Sequence, residues 1–115
     1  MEHYQLFIDG VWCEGVEGQV MRSRNPATGE DWATFACAAP QDVERAIAAA
    51  RRALDDPAWR DMTQTQRGKL LFRLAELIEK NARHIGAVET TDSGKLLAET
   101  AAQTAYVGDY YRYYA

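Results

Sequence analysis

At Pro40 the spacing of apolar residues switches from that of strands to that of helices, and this change limits the fold more than any other feature. Beyond it, Val43, Ala46, Ile47, Ala50 and Leu54 recur at helical spacing. Glu44, Arg45, Arg51 and Arg52 occupy much of the other face. Pro40 suits a first helical turn, where its missing N–H costs nothing, although Ala39 before it is a poor cap. Asp55-Asp56-Pro57 closes this helix. Strands come first and helices follow, which predicts an α+β chain with strands over about residues 5–37 and three or four helices over about 40–115.

The strand region carries its own punctuation. Leu6-Phe7-Ile8 and Val11-Trp12-Cys13 flank Asp9-Gly10, a pair that supplies the positive φ angles of a tight hairpin. A second extended run, 19–24, stops at Asn25-Pro26-Ala27-Thr28-Gly29, where Pro26 disfavours helix and Gly29 permits a left-handed turn. A third covers 32–37, with Trp32 and Phe35 breaking simple alternation. In the helical region Thr63-Gln64-Thr65-Gln66 fits a capping box, and Leu70, Leu71, Leu74, Leu77 and Ile78 form a stripe. Asn81 marks a break or bend and Gly94 a stop. From Leu96 to Ala115, small residues (Ala98, Ala101, Ala105, Gly108) line one helix face, suited to close backbone approach. Tyr106, Tyr110 and Tyr113 lie on an adjacent face. The chain closes inside this tyrosine-rich stretch with no cap, which predicts an incomplete domain.

Length suggests one compact unit at most, able to bury roughly two thirds of its unfolded surface. Hydrophobic residues at 47% and charged residues at 26% describe an ordinary soluble chain rather than a disordered one. A net charge of -4 gives no general attraction to nucleic acid or anionic membrane. No apolar run approaches the ~20 residues that cross a bilayer, and the first ten residues lack the pattern of a secretory signal. The expectation is a cytoplasmic protein with reduced thiols.

Few residues suggest chemistry. Cys13 and Cys37 lack the further ligands of a zinc site, and a reactive thiolate needs a base or cationic partner, so packing is the expected role. Thr91-Asp92-Ser93-Gly94-Lys95 fails as a phosphate loop, because Glu89 stands where glycine is needed and Leu96 follows the lysine. No G-x-G-x-x-G occurs. His3 and His84 are far apart and read as structural. At helical spacing the tyrosines point to core packing ahead of ligand contact.

Several segments, taken in order, resemble the aldehyde dehydrogenase superfamily. Leu6-Phe7-Ile8-Asp9-Gly10-Val11-Trp12 is similar to its opening strand pair, and Arg24-Asn25-Pro26-Ala27-Thr28-Gly29-Glu30 to its Asn-Pro-Ala-Thr-Gly-Glu turn. Asp42-Val43-Glu44-Arg45-Ala46-Ile47, with Ala49 to Ala53, resembles its first helix. Trp59-Arg60-Asp61-Met62, Arg67-Gly68-Lys69-Leu70-Leu71, Glu89-Thr90-Thr91-Asp92-Ser93-Gly94-Lys95 and Tyr113-Tyr114-Ala115 continue the order. The resemblance covers nearly the whole chain. It implies residues 1–115 as the N-terminal part of an α/β aldehyde dehydrogenase fold, which forms homo-oligomers when complete.

The implied reaction is oxidation of an aldehyde to a carboxylic acid with NAD+ or NADP+. A cysteine thiolate forms the thiohemiacetal, and a glutamate assists hydrolysis of the thioester. The family places that cysteine, the glutamate and the main cofactor loops downstream, so neither catalytic nor cofactor residues are expected here, and the chain alone is expected to be inactive. Two sites carry over by the same resemblance. A K+ or Na+ ion would be held by the backbone carbonyls of Ser23 and Arg24 and by the carboxylate of Asp92, with capping or solvation of the turn as the plainer role for Asp92. Tyr106 would line the substrate tunnel, favouring apolar or cationic aldehydes. The alternative is a non-catalytic helical interaction module that uses the small-residue stripe and the tyrosines. Taken alone, the chain is expected to leave apolar helix faces without partners.

Overall fold

The computed structural model describes residues 1–115, which group into two compact units where length alone suggests one. The first holds residues 1–24 and 29–61, and the second 25–28 and 62–115.

In the first unit, β1 (Glu2–Tyr4) lies parallel to β5 (Asp31–Ala36), and β5 pairs antiparallel with β4 (Val20–Arg24). The sheet order is β1-β5-β4. Strand β1 is too short to show alternation, and nothing in the sequence announced it. Its Tyr4 stands opposite Phe35 and stacks on that ring with centroids 5.2 Å apart. The hairpin of β2 (Leu6–Ile8) and β3 (Val11–Cys13) forms around Asp9 and Gly10, at φ 56° and 78°. Helix α1 spans Pro40–Asp55, and a one-turn helix α2, Pro57–Arg60, follows.

Helix α1 begins without help from the Ala39 side chain. The Asp42 carboxylate supplies the cap instead, accepting the Ala39 N–H at 2.9 Å and the Val16 N–H at 3.0 Å while Arg45 donates to its other oxygen at 2.8 Å. Asp42 is fully buried, so one side chain fastens the helix start to the loop after β3. Gly15 lies in that loop. A Cβ there would come within 2.0 Å of the Cys37 carbonyl oxygen, a spacing only glycine tolerates.

In the second unit, α3 (Gln64–Lys80), α4 (Ala82–Ser93) and α5 (Leu97–Tyr114) pack together, α5 lying against both others. Helix α2 and the break at Asn81 bring the total to five helices rather than three or four. At the break, the Asn81 side-chain amide donates to the Leu77 carbonyl at 2.7 Å, an oxygen that also accepts the Asn81 backbone N–H at 3.1 Å. The capping box forms as the sequence predicts: Gln66 N–H donates to Thr63 Oγ1 at 3.3 Å, and Thr63 N–H to Gln66 Oε1 at 2.7 Å. Thr63→Ala is therefore expected to lower stability by about 1 kcal/mol, read as a lower urea midpoint with an unchanged slope.

The packing of both units follows one rule. Apart from the fully buried Asp42, buried positions hold small residues (Gly15, Ala33, Ala36, Ala39 and Ala49 in one, Gly68, Ala75, Ala82, Gly86, Thr100, Thr104 and Gly108 in the other). Large apolar side chains stay exposed, among them Val43, Ile47 and Leu54 along α1 and Leu70, Leu74 and Leu77 along α3. A self-contained domain buries such residues first. The apolar stripes predicted from periodicity thus exist as helix faces, but the chain leaves much of them uncovered.

Candidate functional site

The residues singled out from sequence are divided between the two units. Ser23 and Arg24 end β4 in the first, while Asp92 and Tyr106 belong to the second. The β4–β5 ladder pairs Ser23 with Ala33 and Arg24 with Asp31, so Trp32 is the extra residue of a bulge. This bulge is why the alternation of the strand looked broken. The Trp32 indole N–H donates to the half-buried Ser23 hydroxyl at 3.2 Å. The Arg24 side chain points at Asp31, Nε to Oδ1 3.7 Å, beside Arg22 at 3.0 Å. The Arg22 hydrogen bond, with both guanidinium charges behind it, holds the Asp31 carboxyl below the usual carboxylate range.

Asp92 is exposed in the last turn of α4, two residues before Gly94, which takes φ 77° and ends the helix. Gly94 also meets Pro26: a Cβ on it would lie 2.9 Å from the proline ring. The Asn-Pro turn, braced by an Ala27 N–H to Asn25 Oδ1 bond of 2.9 Å, thereby packs on the end of the Thr91–Lys95 stretch.

Tyr106 stands on the outer face of α5. With Tyr110, Tyr113, Tyr114 and Asp109 it lines an open recess of about 380 Å³. These positions recur at helical spacing, and the sequence reading expected them to pack a core. Instead Tyr106 is 60% exposed and Tyr110 57%. The opposite face of α5 explains this: Thr100, Thr104 and Gly108 are small enough for α5 to sit directly against its neighbours, and that contact takes the place of the aromatic face.

Two features escaped the sequence reading. One is the Asp42 cap, which a helix-start aspartate two residues after proline signals only weakly. The other is Arg112 of α5, whose guanidinium grips Glu79 of α3 with both nitrogens, Nη2 to Oε2 at 2.6 Å, and touches Asp109 at 3.3 Å. Arg112 holds the Glu79 carboxyl below its ordinary range. Thirty-three residues separate these partners, so only the packed helices bring them together.

The thiols of Cys13 and Cys37 are free and half-buried. Arg45 Nη2 approaches Cys13 Sγ to 3.7 Å, and no histidine or carboxylate bonds to either thiol in a nucleophile–base arrangement. No group of three or more His, Cys, Asp or Glu side chains is placed to hold a metal ion, and no helix is long and apolar enough to cross a membrane.

Comparison with known proteins settles the family. The profile of the aldehyde dehydrogenase family matches residues 12–115. The chain belongs to the aldehyde dehydrogenase family. It is 49% identical over its whole length to a (Z)-2-((N-methylformamido)methylene)-5-hydroxybutyrolactone dehydrogenase of Acinetobacter baylyi, of which it covers 23%. An NAD-dependent aldehyde dehydrogenase structure from Sinorhizobium meliloti superposes with a TM-score of 0.91 at 29% identity, over 96% of this chain and 22% of that one. A betaine aldehyde dehydrogenase from Staphylococcus aureus, solved with NAD+, gives 0.90 at 32% identity, over 95% and 22%. This aldehyde dehydrogenase chain therefore spans less than a quarter of the length of these relatives, and it corresponds to their N-terminal part.

Proposed function

We propose that the chain is the N-terminal portion of an NAD(P)+-dependent aldehyde dehydrogenase that oxidises an aldehyde to a carboxylic acid, and that it is inactive by itself. The observation that carries this is the continuous match of the family profile from residue 12 to residue 115, in a chain whose thiols lack a neighbouring base. The residues present do not fit a dinucleotide. There is no glycine-rich strand-to-helix turn, and Leu96, at the N-cap of α5, offers no side-chain cap.

The 115 residues form part of one dehydrogenase domain in this proposal, and the rest of that fold covers the apolar faces. Val43, Ile47 and Leu54 on α1 support this, since each is about half exposed on a helix built for burial. The complete enzyme is proposed to be a cytoplasmic homo-oligomer. A monovalent cation, K+ or Na+, is proposed on the carbonyls of Ser23 and Arg24 and the carboxylate of Asp92. Hard ions favour such oxygen ligands, and the pairing of the Arg24 side chain with Asp31 is compatible with ligation through the carbonyl. Tyr106 is proposed to line the substrate path.

The test is direct. Purified chain mixed with NAD+ or NADP+ and a panel of aldehydes should give no rise in nicotinamide absorbance. The same residues joined to the downstream coding sequence should give one, with K+ dependence weakened by Asp92→Asn. Turnover by the 115 residues alone would show that they hold a nucleophile of their own and would overturn the inactive-fragment reading. No turnover by the extended polypeptide would overturn the dehydrogenase reading.

A further inference from the structure

We propose that the recess between the β2–β3 hairpin and α1 binds the zwitterion of an aliphatic α-amino acid, with Arg52 taking its carboxylate and Asp9 its ammonium. The recess lies within the first unit and has a volume of about 360 Å³, in the range of small-molecule sites. Ile8, Val11 and Ala48 give it an apolar wall, and Asp9, Arg45 and Arg52 bring charge to it. Arg45 and Arg52 stand two turns apart on α1, so both reach the same side of the helix.

The two arginines are not equivalent. Arg45 is bonded to the fully buried Asp42 at 2.8 Å, and its Nη2 lies 3.7 Å from Cys13 Sγ. Its charge is matched, and it serves as part of the wall. Arg52 meets Asp9 of the hairpin turn, Nη2 to Oδ2 at 2.8 Å, with both side chains 63% exposed. That bond uses one guanidinium nitrogen and one carboxylate oxygen. A guanidinium has further N–H donors and a carboxylate a second oxygen, so each takes another partner without releasing the first.

Charge then selects the ligand. Arg45 and Arg52 are balanced by Asp42 and Asp9, so the charges around the recess cancel while the two signs stay apart in space. A dianion would face Asp9, and a metal cation would face Arg52. A neutral apolar molecule would leave both charges unused. An α-amino acid carries a carboxylate and an ammonium on one carbon, so it closes a ring of alternating charge with Arg52 and Asp9. Its aliphatic side chain then rests on Ile8, Val11 and Ala48. The site needs neither aldehyde nor nicotinamide, so it stands or falls apart from the dehydrogenase reading.

Cys13 reports on the recess, since its free, half-buried thiol lines it and Cys37 does not. In the complete polypeptide, residues 1–115 joined to the downstream coding sequence, alkylation of each thiol by iodoacetamide is followed by peptide mass spectrometry. Leucine should slow Cys13 saturably and leave Cys37 unchanged. Isocaproate, which lacks the ammonium, and isopentylamine, which lacks the carboxylate, should each need about fivefold higher concentration for the same protection. Arg52→Gln and Asp9→Asn should each raise the leucine concentration required about threefold. Asparagine tolerates the φ of 56° at position 9, so the hairpin is kept, and an unchanged Cys13 rate without ligand checks this. The comparison of ligands on the parent needs no variant. An unreactive Cys13, equal protection by leucine and either analogue, or intact variants that respond to leucine like the parent would each overturn the assignment.

Discussion

Replacing Gly86 with alanine is expected to destabilise the helical unit, although alanine is the better helix former. The substitution gains about 1 kcal/mol of intrinsic propensity inside α4. Against that, the new Cβ would lie 2.7 Å from the Ala101 nitrogen, 2.8 Å from its Cα and 3.0 Å from the Thr100 carbonyl carbon. All three are backbone atoms of α5 and cannot swing aside, so the helices must separate. Separation strains the 2.8 Å bond between the Thr90 and Thr100 hydroxyls and opens the fully buried Thr100 site. Overpacking of this kind costs typically about 1–3 kcal/mol, and a strained buried hydrogen bond adds to it. The clash wins over the propensity. Gly86→Val, with no compensating propensity and a branched Cβ, should be worse still, with loss of cooperative unfolding. Urea melts followed at 222 nm decide the matter: a Gly86→Ala chain as stable as the parent would show that α4 and α5 are not in backbone contact.

The second large effect belongs to Asp42. Alanine there removes the shared acceptor of the Ala39 and Val16 N–H groups and leaves the Arg45 guanidinium without its partner. A buried N–H without an acceptor costs about 1–3 kcal/mol, which applies to Ala39, and the part-buried Val16 N–H loses its acceptor as well. Asparagine should do less damage, because its carbonyl can keep both N–H bonds and only the bond to Arg45 is lost. The expected order of stability is parent, then Asp42→Asn, then Asp42→Ala.

The same site has a pH signature. The Ala39 N–H, then the Val16 N–H, hold the Asp42 carboxyl below its ordinary value of 3.8, outweighing the opposing effect of burial, and Arg45 adds to them. The folded state thus binds this proton less readily than the unfolded chain. The contribution is fully present above the unfolded value and is lost as pH falls through the lower folded one. The parent should therefore lose stability in acid more steeply than Asp42→Asn. Parallel acid titrations of the two chains would remove Asp42 from this role.

What could be read in advance shares one property: it is local. The Asp9-Gly10 hairpin, the Thr63 cap, the break at Asn81 and the stop at Gly94 each depend on a few neighbouring residues, and each formed where the residues indicated. What could not be read depends on distant partners. Strand β1 exists because β5, thirty-one residues on, offers it an edge, and Trp32 looked out of register because a bulge absorbs it. The tyrosines of α5 were expected in a core because helical spacing marks a face and does not say what covers it.

For this protein, local order along the chain determined the element types, most of their boundaries and the family, since turn chemistry and periodicity act over a few residues. Tertiary structure alone decided which faces meet. Close approach is won by the smallest side chains, so Gly86, Thr100 and Gly108 drew the helices together and the larger aromatic and aliphatic faces were left outward.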